Sequence, residues 1–198
     1  MKIAILGWGS LIWNPINLQI DTNQENNGWL TNGPMLPIEF ARISRDGRLT
    51  LVIVPNEVNK IQVFYAFSKF LNLDEAILDL AVREGCGKNK IGYYDKKKKK
   101  ISDNFTADKF KNQRSEIENW TNDQDVDAVI WTNLSSNFKD KLGLNDFKPM
   151  DAINYLKYLS PDVKARAEEY IRKAPKVVDT PIRKEIELKL KWMPIGTL

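Results

Sequence analysis

The sequence predicts an α+β protein, and three observations carry that prediction. Short β-type runs dominate the first third of the chain: 1–8, 38–44, 49–54 and 61–67. The hydrophobic period then changes from two to helical at 72–84, where Leu73, Ala76, Ile77, Leu80 and Ala81 fall at i, i+3, i+4, i+7 and i+8. Helix start and stop signals recur after residue 149. Strands that lead, with helices inserted and appended, define the class. The 198 residues suffice for one sizeable domain with a real core. With no internal repeat and no linker-like stretch, the expectation is a single domain over 1–198, carrying a helical C-terminal extension from about residue 149.

In order, Met1 to Trp8 reads as a strand with β-branched Ile3 and Ile5. Asn17 to Asn32 is rich in Asn, Gln and Asp and reads as a long loop with room for one helical turn. Ile38 to Ser44 and Leu49 to Val54 are strands around Asp46-Gly47, a strong hairpin signal. Ile61 to Phe67 is a further strand, and the three runs are expected to form a consecutive antiparallel meander. The helix over 72–84 has Asn72 or Asp74 as N-cap, acidic residues at its positive end and Gly85 for a left-handed stop. Lys88 to Tyr94 is a short strand candidate. Phe105 to Trp120 is partly helical, Val126 to Thr132 is a buried strand, and Phe138 to Gly143 is a short helical turn. Met150 to Leu159 is a helix, and Ser160 and Pro161 are N-cap and first residue of the next, which runs to about Ala174. Ile182 to Met193 is ambiguous: Ile186, Leu188, Leu190 and Trp192 alternate like a strand, whereas the residue types favour helix.

Composition bounds function mainly through what is missing. There is no histidine, which excludes a Ser-His-Asp triad, a Cys-His pair and any histidine-bearing zinc site within this chain. A base must therefore be Asp, Glu, Lys, Tyr or Cys. One cysteine, Cys86, allows no internal disulfide and no CxxC motif, and points to a reducing cytoplasm. No apolar run approaches a membrane span or a signal-peptide core, so neither is expected. The net charge of +4 owes its excess to Lys96 to Lys100. No aromatics interleave with those lysines. A solvated hairpin tip is favoured there over a phosphate-binding patch, and no nucleic-acid partner is expected.

Three constellations could carry chemistry. A strand followed by Gly7-Trp8-Gly9 invites a dinucleotide site, but the third glycine of that fingerprint would fall at Ile12, and Pro15 interrupts the following helix. Cys86 lies just past a helix C-terminus, where the dipole disfavours a thiolate, and a buried structural cysteine is the expectation. Glu84 occupies the last turn of the helix over 72–84. It is either a solvent-exposed glutamate or a carboxyl whose pKa the dipole and burial raise, able to take and give a proton near neutrality. The bend at Gly7-Trp8-Gly9-Ser10 is likewise open. It is a tight turn in a core-forming N-terminus, or a nest of amides that holds an anion or oxyanion where two glycines let a ligand approach.

Residues Leu6 to Pro15, LGWGSLIWNP, resemble the glycine-rich loop of the gamma-glutamyl cyclotransferase superfamily. They match the Gly-Tyr-Gly-Ser-Leu-Ile-Trp-x-Pro string of the branch that includes the glutathione-specific enzymes, except that Trp8 replaces the tyrosine. Arg83-Glu84-Gly85 and Tyr93 fit the second landmark of that family, a glutamate at a helix end followed by Gly and Tyr. IEFARISRDGRLTL, residues 38–51, is similar to the strand pair that follows the loop. The likeness covers roughly residues 1–94, with 126–132 as a further strand.

The resemblance implies a small, mostly antiparallel β-barrel flanked by helices. It also implies an enzyme that releases 5-oxoproline from a gamma-glutamyl peptide or amine by intramolecular aminolysis, without metal or cofactor. Carried over, Glu84 is the catalytic acid–base. The amides of Gly9, Ser10 and Leu11 hold the substrate carboxylate or oxyanion, and Trp8 walls the pocket without a phenolic hydroxyl. Tyr93, Arg42 and Arg48 are weaker candidate substrate contacts, set against surface or structural roles. The expected partner is a small gamma-glutamyl molecule. The alternative is a non-catalytic module on the same fold that binds a small anion or a gamma-glutamyl group.

Overall fold

The runs Ile3–Leu6 and Ala128–Trp131 are apolar at every position, so each needs cover on both faces. In the computed structural model they lie side by side in a sheet and are almost wholly buried. The structure describes residues 1–55, 57–144 and 148–196. In chain order its elements are β1 (Ile3–Gly7), α1 (Ser10–Trp13), β2 (Met35–Leu36), β3 (Ile38–Ile43), β4 (Leu49–Ile53), β5 (Ile61–Gln62), β6 (Phe64–Phe67) and α2 (Leu73–Glu84). There follow β7 (Ile91–Asp95), β8 (Lys100–Ile101), α3 (Lys111–Asp123), β9 (Ala128–Thr132), α4 (Phe138–Leu142), α5 (Pro149–Lys157), α6 (Pro161–Lys173) and α7 (Pro181–Leu190). The chain divides into two compact units. One comprises Met1–Gly7, Asn14–Leu36 and Gln62–Leu134; the other comprises Trp8–Trp13, Pro37–Ile61 and the chain from Ser135 on. The single-domain expectation spans 1–198, and 56, 145–147 and 197–198 within it lie outside the described residues.

The first unit is built on a five-stranded sheet in the order β6-β1-β9-β7-β8. β1 runs antiparallel to β6 and parallel to β9, and β7 runs antiparallel to both β9 and β8. The sheet is therefore mixed and open. It does not close into the β-barrel implied by the family resemblance. β6 and β8 are its edges, and β8 has two residues, too few to carry a barrel seam. The expected meander is also corrected. β3 and β4 form their own two-stranded sheet, while β6 pairs with β1. The run 61–67 breaks at Val63, whose N–H donates to the Pro34 carbonyl. That break frees β6 to join another sheet.

Close aromatic–glycine contacts shape this core. The Trp29 indole lies over Gly7, where a Cβ would stand 2.5 Å from its Cζ3. Gly92 sits opposite Trp131 across β7 and β9, under the indole. Trp131 is fully buried and meets Phe105 edge to face at 4.9 Å. A methyl at Gly92 would overlap the indole ring, so Gly92→Ala is expected to cost about 1–3 kcal/mol in urea unfolding. A loss within 0.5 kcal/mol of zero, about the size of a surface change, would contradict this packing.

α2 follows its sequence signals. Asn72 Oδ1 accepts from the Asp74 and Glu75 amides. Gly85 is left-handed at φ 60° and, with Cys86, closes a Schellman turn: the Gly85 N–H donates to Val82 O and the Cys86 N–H to Ala81 O. Cys86 itself is half-exposed, which corrects the expectation of a buried thiol; the chain has already turned off the helix at Gly85. Lys96 to Lys99 form the turn of the β7–β8 hairpin, as expected, and Lys100 begins β8. Lys96 is structural: its Nζ donates to the carbonyls of Asn122 and Gln124 at the C-terminal end of α3, where the helix dipole favours a cation.

The second unit folds helices around the β3–β4 hairpin. Gly47 takes the left-handed conformation of the Asp46-Gly47 turn at φ 84°. The Tyr155 hydroxyl of α5 donates to the Gly47 carbonyl. The Asn137 side chain accepts from the N–H of Ile43 and donates to its carbonyl, so a side-chain amide pairs with backbone at the end of β3. Residues 182–190, ambiguous in sequence, are helical in α7. Thr180 caps the helix by accepting from the Arg183 N–H, and Pro181 takes the first position. Those start signals outweigh the strand-like alternation. Ser160 precedes α6 as expected, but its side chain makes no cap bond.

Candidate functional site

The glycine-rich stretch passes from one unit into the other, with Gly7 ending β1 and Trp8–Trp13 in the second unit. Ser10–Trp13 form one helical turn, and the Ile12 N–H donates to Gly9 O. The amides of Ser10 and Leu11 precede the first intrahelical donor, as at any helix start. Trp8 is buried, and its indole N–H donates to the Leu51 carbonyl of β4 at 3.4 Å. Leu11 is buried and Ser10 half-buried. The structure revises the role of the glycines. Neither Gly7 nor Gly9 is left-handed, and the space beside each is filled by the protein's own aromatics. At Gly7 it is Trp29. At Gly9 it is the Tyr170 hydroxyl of α6, 2.7 Å from where a Cβ would stand. That hydroxyl also accepts from the Leu51 N–H, and the Tyr170 ring meets Trp13 edge to face.

Glu84 lies in the first unit, where the Schellman turn fixes the end of α2. Its side chain is only 17% exposed. Arg83, 9% exposed, donates from Nη1 to Glu84 Oε1 at 2.7 Å and from Nη2 to the Asn14 carbonyl at 2.7 Å. Burial raises the Glu84 pKa above the ordinary carboxylate value, and the Arg83 cation and hydrogen bond oppose that rise. Of the two environments left open by sequence, Glu84 has the largely buried one, not the solvent-exposed one.

Tyr93 is half-buried on β7 in the same unit as Glu84, and its N–H donates to Ser102 Oγ. The hydrogen-bond partner of Glu84 is Arg83, not Tyr93. Arg42 donates to the Ser135 carbonyl. Arg48 pairs with Asp46 at 2.8 Å and lies 5.4 Å from the centre of the Tyr170 ring. Both arginines thus have structural partners in the second unit. Sequence reasoning missed two residues. Arg83 is adjacent to Glu84 in sequence, and that adjacency is the one signal available for it. Tyr170 stands far along the chain from Gly9, and nothing local marks it.

A second buried carboxyl, Glu39 on β3, belongs to the other unit. Its Oε1 accepts from the Thr180 hydroxyl at 2.5 Å and the Phe40 N–H at 2.7 Å, and its Oε2 accepts from the Ile182 N–H at 3.2 Å. It thereby ties β3 to the start of α7. Burial pushes its pKa up to about 7 against those hydrogen bonds. A carboxyl with a raised folded-state pKa contributes stability that is full below its unfolded pKa and lost as pH rises through 7. The loss amounts to roughly 3 kcal/mol at about 1.4 kcal/mol per pKa unit. Glu39→Gln is expected to flatten the fall of Tm between pH 5 and 8, whatever its offset at acid pH. Parallel curves for the two proteins would disprove the assignment.

No family model, curated protein or solved structure matches this chain. Among the described residues, no helix is long and apolar enough to cross a membrane, and no group of three or more Cys, Asp or Glu side chains is placed to hold a metal ion.

Proposed function

We propose that this chain is a gamma-glutamyl cyclotransferase-like enzyme that forms 5-oxoproline from a gamma-glutamyl peptide or amine. The reading begins with the loop string Leu6–Pro15 and Arg83-Glu84-Gly85. The observation that carries it further is the buried Glu84 carboxyl, held by Arg83 to the main chain at Asn14, the residue before the proline of that string. A carboxyl with a raised pKa is better suited than an ordinary one both to accept and to return a proton.

In the proposed reaction, the glutamyl group attacks as its neutral α-amine, and Glu84 takes the one proton that this nitrogen sheds. The amine nitrogen bonds to the side-chain carbonyl carbon and closes a five-membered ring. The amide bond to the leaving amine then breaks, and Glu84 returns the proton to the leaving nitrogen. Atoms balance without a co-reactant. Ring closure is intramolecular, so holding the substrate in an attack geometry supplies much of the rate. By the family resemblance, the amides of Gly9, Ser10 and Leu11 are assigned to the glutamyl carboxylate or the oxyanion, Trp8 to walling the pocket, and Tyr93 to a substrate contact. A reducing cytoplasm suits the single cysteine.

Incubation with glutathione and a panel of gamma-glutamyl amines, assayed for 5-oxoproline, tests the proposal. Release from at least one substrate is expected. No product across the panel overturns it, and thermal stabilisation by the same compounds without turnover would transfer the chain to the binding-module reading.

A further inference from the structure

Side chains of adjacent helical residues diverge, so an i,i+1 ion pair is not a helix-stabilising contact. Arg83 and Glu84 nevertheless close to 2.7 Å in the last turn of α2, just before the Schellman turn at Gly85. Both side chains are nearly buried, and desolvating two charges is costly unless geometry and further hydrogen bonds offset it. The further bond observed runs from Arg83 Nη2 to the Asn14 carbonyl. The guanidinium is thus a planar fork with one tine on the acid and the other on main chain 69 residues away. Nη1 takes Oε1 of the carboxyl.

We propose that Arg83 is the positioning residue for Glu84: its fork between Oε1 and the Asn14 carbonyl fixes the orientation of the carboxyl. As a role in catalysis, this rests on the cyclotransferase reading. As a statement about the carboxyl, it does not. The cation opposes the effect of burial, so that Glu84 remains deprotonated over more of the range in which a base is needed. Arg83→Lys keeps the charge but not the fork. Arg83→Met keeps much of the apolar stem and removes both.

The test has two readouts on the full chain. The first is the carboxyl titration of Glu84, followed by NMR with labelled glutamate and assigned by its absence in Glu84→Gln. The midpoint is expected to rise by about one to three pH units in Arg83→Met, the span an adjacent opposite charge commands, and by less in Arg83→Lys. The second is the pH profile of kcat/KM for 5-oxoproline release. Its acid limb is expected to move up with the NMR midpoint in Arg83→Met. In Arg83→Lys, kcat is expected to fall while KM holds. A midpoint and limb unmoved in Arg83→Met overturn the inference even if the wild type turns over. A shifted midpoint in a protein that makes no 5-oxoproline upholds the electrostatic role of Arg83 and removes the cyclotransferase reading instead. Should Arg83→Met fail to fold, Arg83→Lys decides: wild-type midpoint, kcat and KM together overturn the inference.

Discussion

Glu84→Gln is expected to lower kcat for 5-oxoproline release by about 10²–10⁴-fold, the range a positioned acid–base group contributes. The amide is isosteric, and its oxygen still accepts from Arg83 Nη1, so the helix end and the Schellman turn are preserved. What is lost is the capacity to take a proton from the attacking nitrogen and return it to the leaving one. KM should change little, because the glutamyl carboxylate is assigned to the amides of Gly9, Ser10 and Leu11. The sign of the pH dependence follows from the same carboxyl. A base must be ionised, and burial raises this pKa while Arg83 restrains it. Wild-type kcat/KM therefore rises with pH along an acid limb whose midpoint lies above 4.5, the ordinary value for glutamate. That limb should be absent from the residual activity of Glu84→Gln. Full activity in the variant would remove Glu84 from the mechanism, and a limb at or below the ordinary value would contradict its burial.

The largest expected effect on stability is at Arg183, which is 2% exposed. Its Nη1 donates to the carbonyls of Pro175 and Val178, at 2.5 and 3.1 Å, and its Nη2 to Ala174 O at 2.9 Å. Its Nε pairs with Glu187 at 3.2 Å, one turn further along α7. Burial depresses the guanidinium pKa and Glu187 counteracts that, and the cost of desolvating this cation is offset by its acceptors. Arg183→Met replaces the stem with apolar volume but takes the guanidinium from three carbonyls, of which Pro175 O keeps the Val178 N–H, and leaves the Glu187 charge without it. A loss of about 3–5 kcal/mol is expected, as when one partner of a buried ion pair is removed. Urea unfolding checks it: the midpoint should fall at unchanged m-value. A loss under about 1 kcal/mol would mean that water replaces the guanidinium at the three carbonyls.

Such clusters show why some of the molecule is legible in its sequence and some is not. The α2 signals act over a few bonds: Asn72 reaches amides two and three residues on, and Gly85 alone tolerates the left-handed stop cheaply. The β3–β4 hairpin is local in the same sense, since Asp46-Gly47 sets its turn. The meander expected from sequence does not form, because strand partnership is not local. β6 and β1 are each apolar, and nothing within either run states that they pair with one another rather than with β4. Helix α7 shows two local signals in conflict, with the Thr180–Pro181 start prevailing over the alternation of Ile186, Leu188 and Leu190.

The candidate site divides along the same line. Sequence alone determined that any base must come from a chain without histidine, that Glu84 ends a helix, and that a Gly-Trp-Gly-Ser bend follows the first strand. Those facts depend on residue identity and short-range geometry. Only the tertiary structure decided that Glu84 is buried, that Arg83 grips both it and Asn14, and that Trp29 and Tyr170 fill the space beside the two glycines of the bend. The physical reason is desolvation and close packing. The pKa of a carboxyl and the need for a glycine are both set by the atoms that come to rest against them, and in a folded chain those atoms arrive from distant sequence.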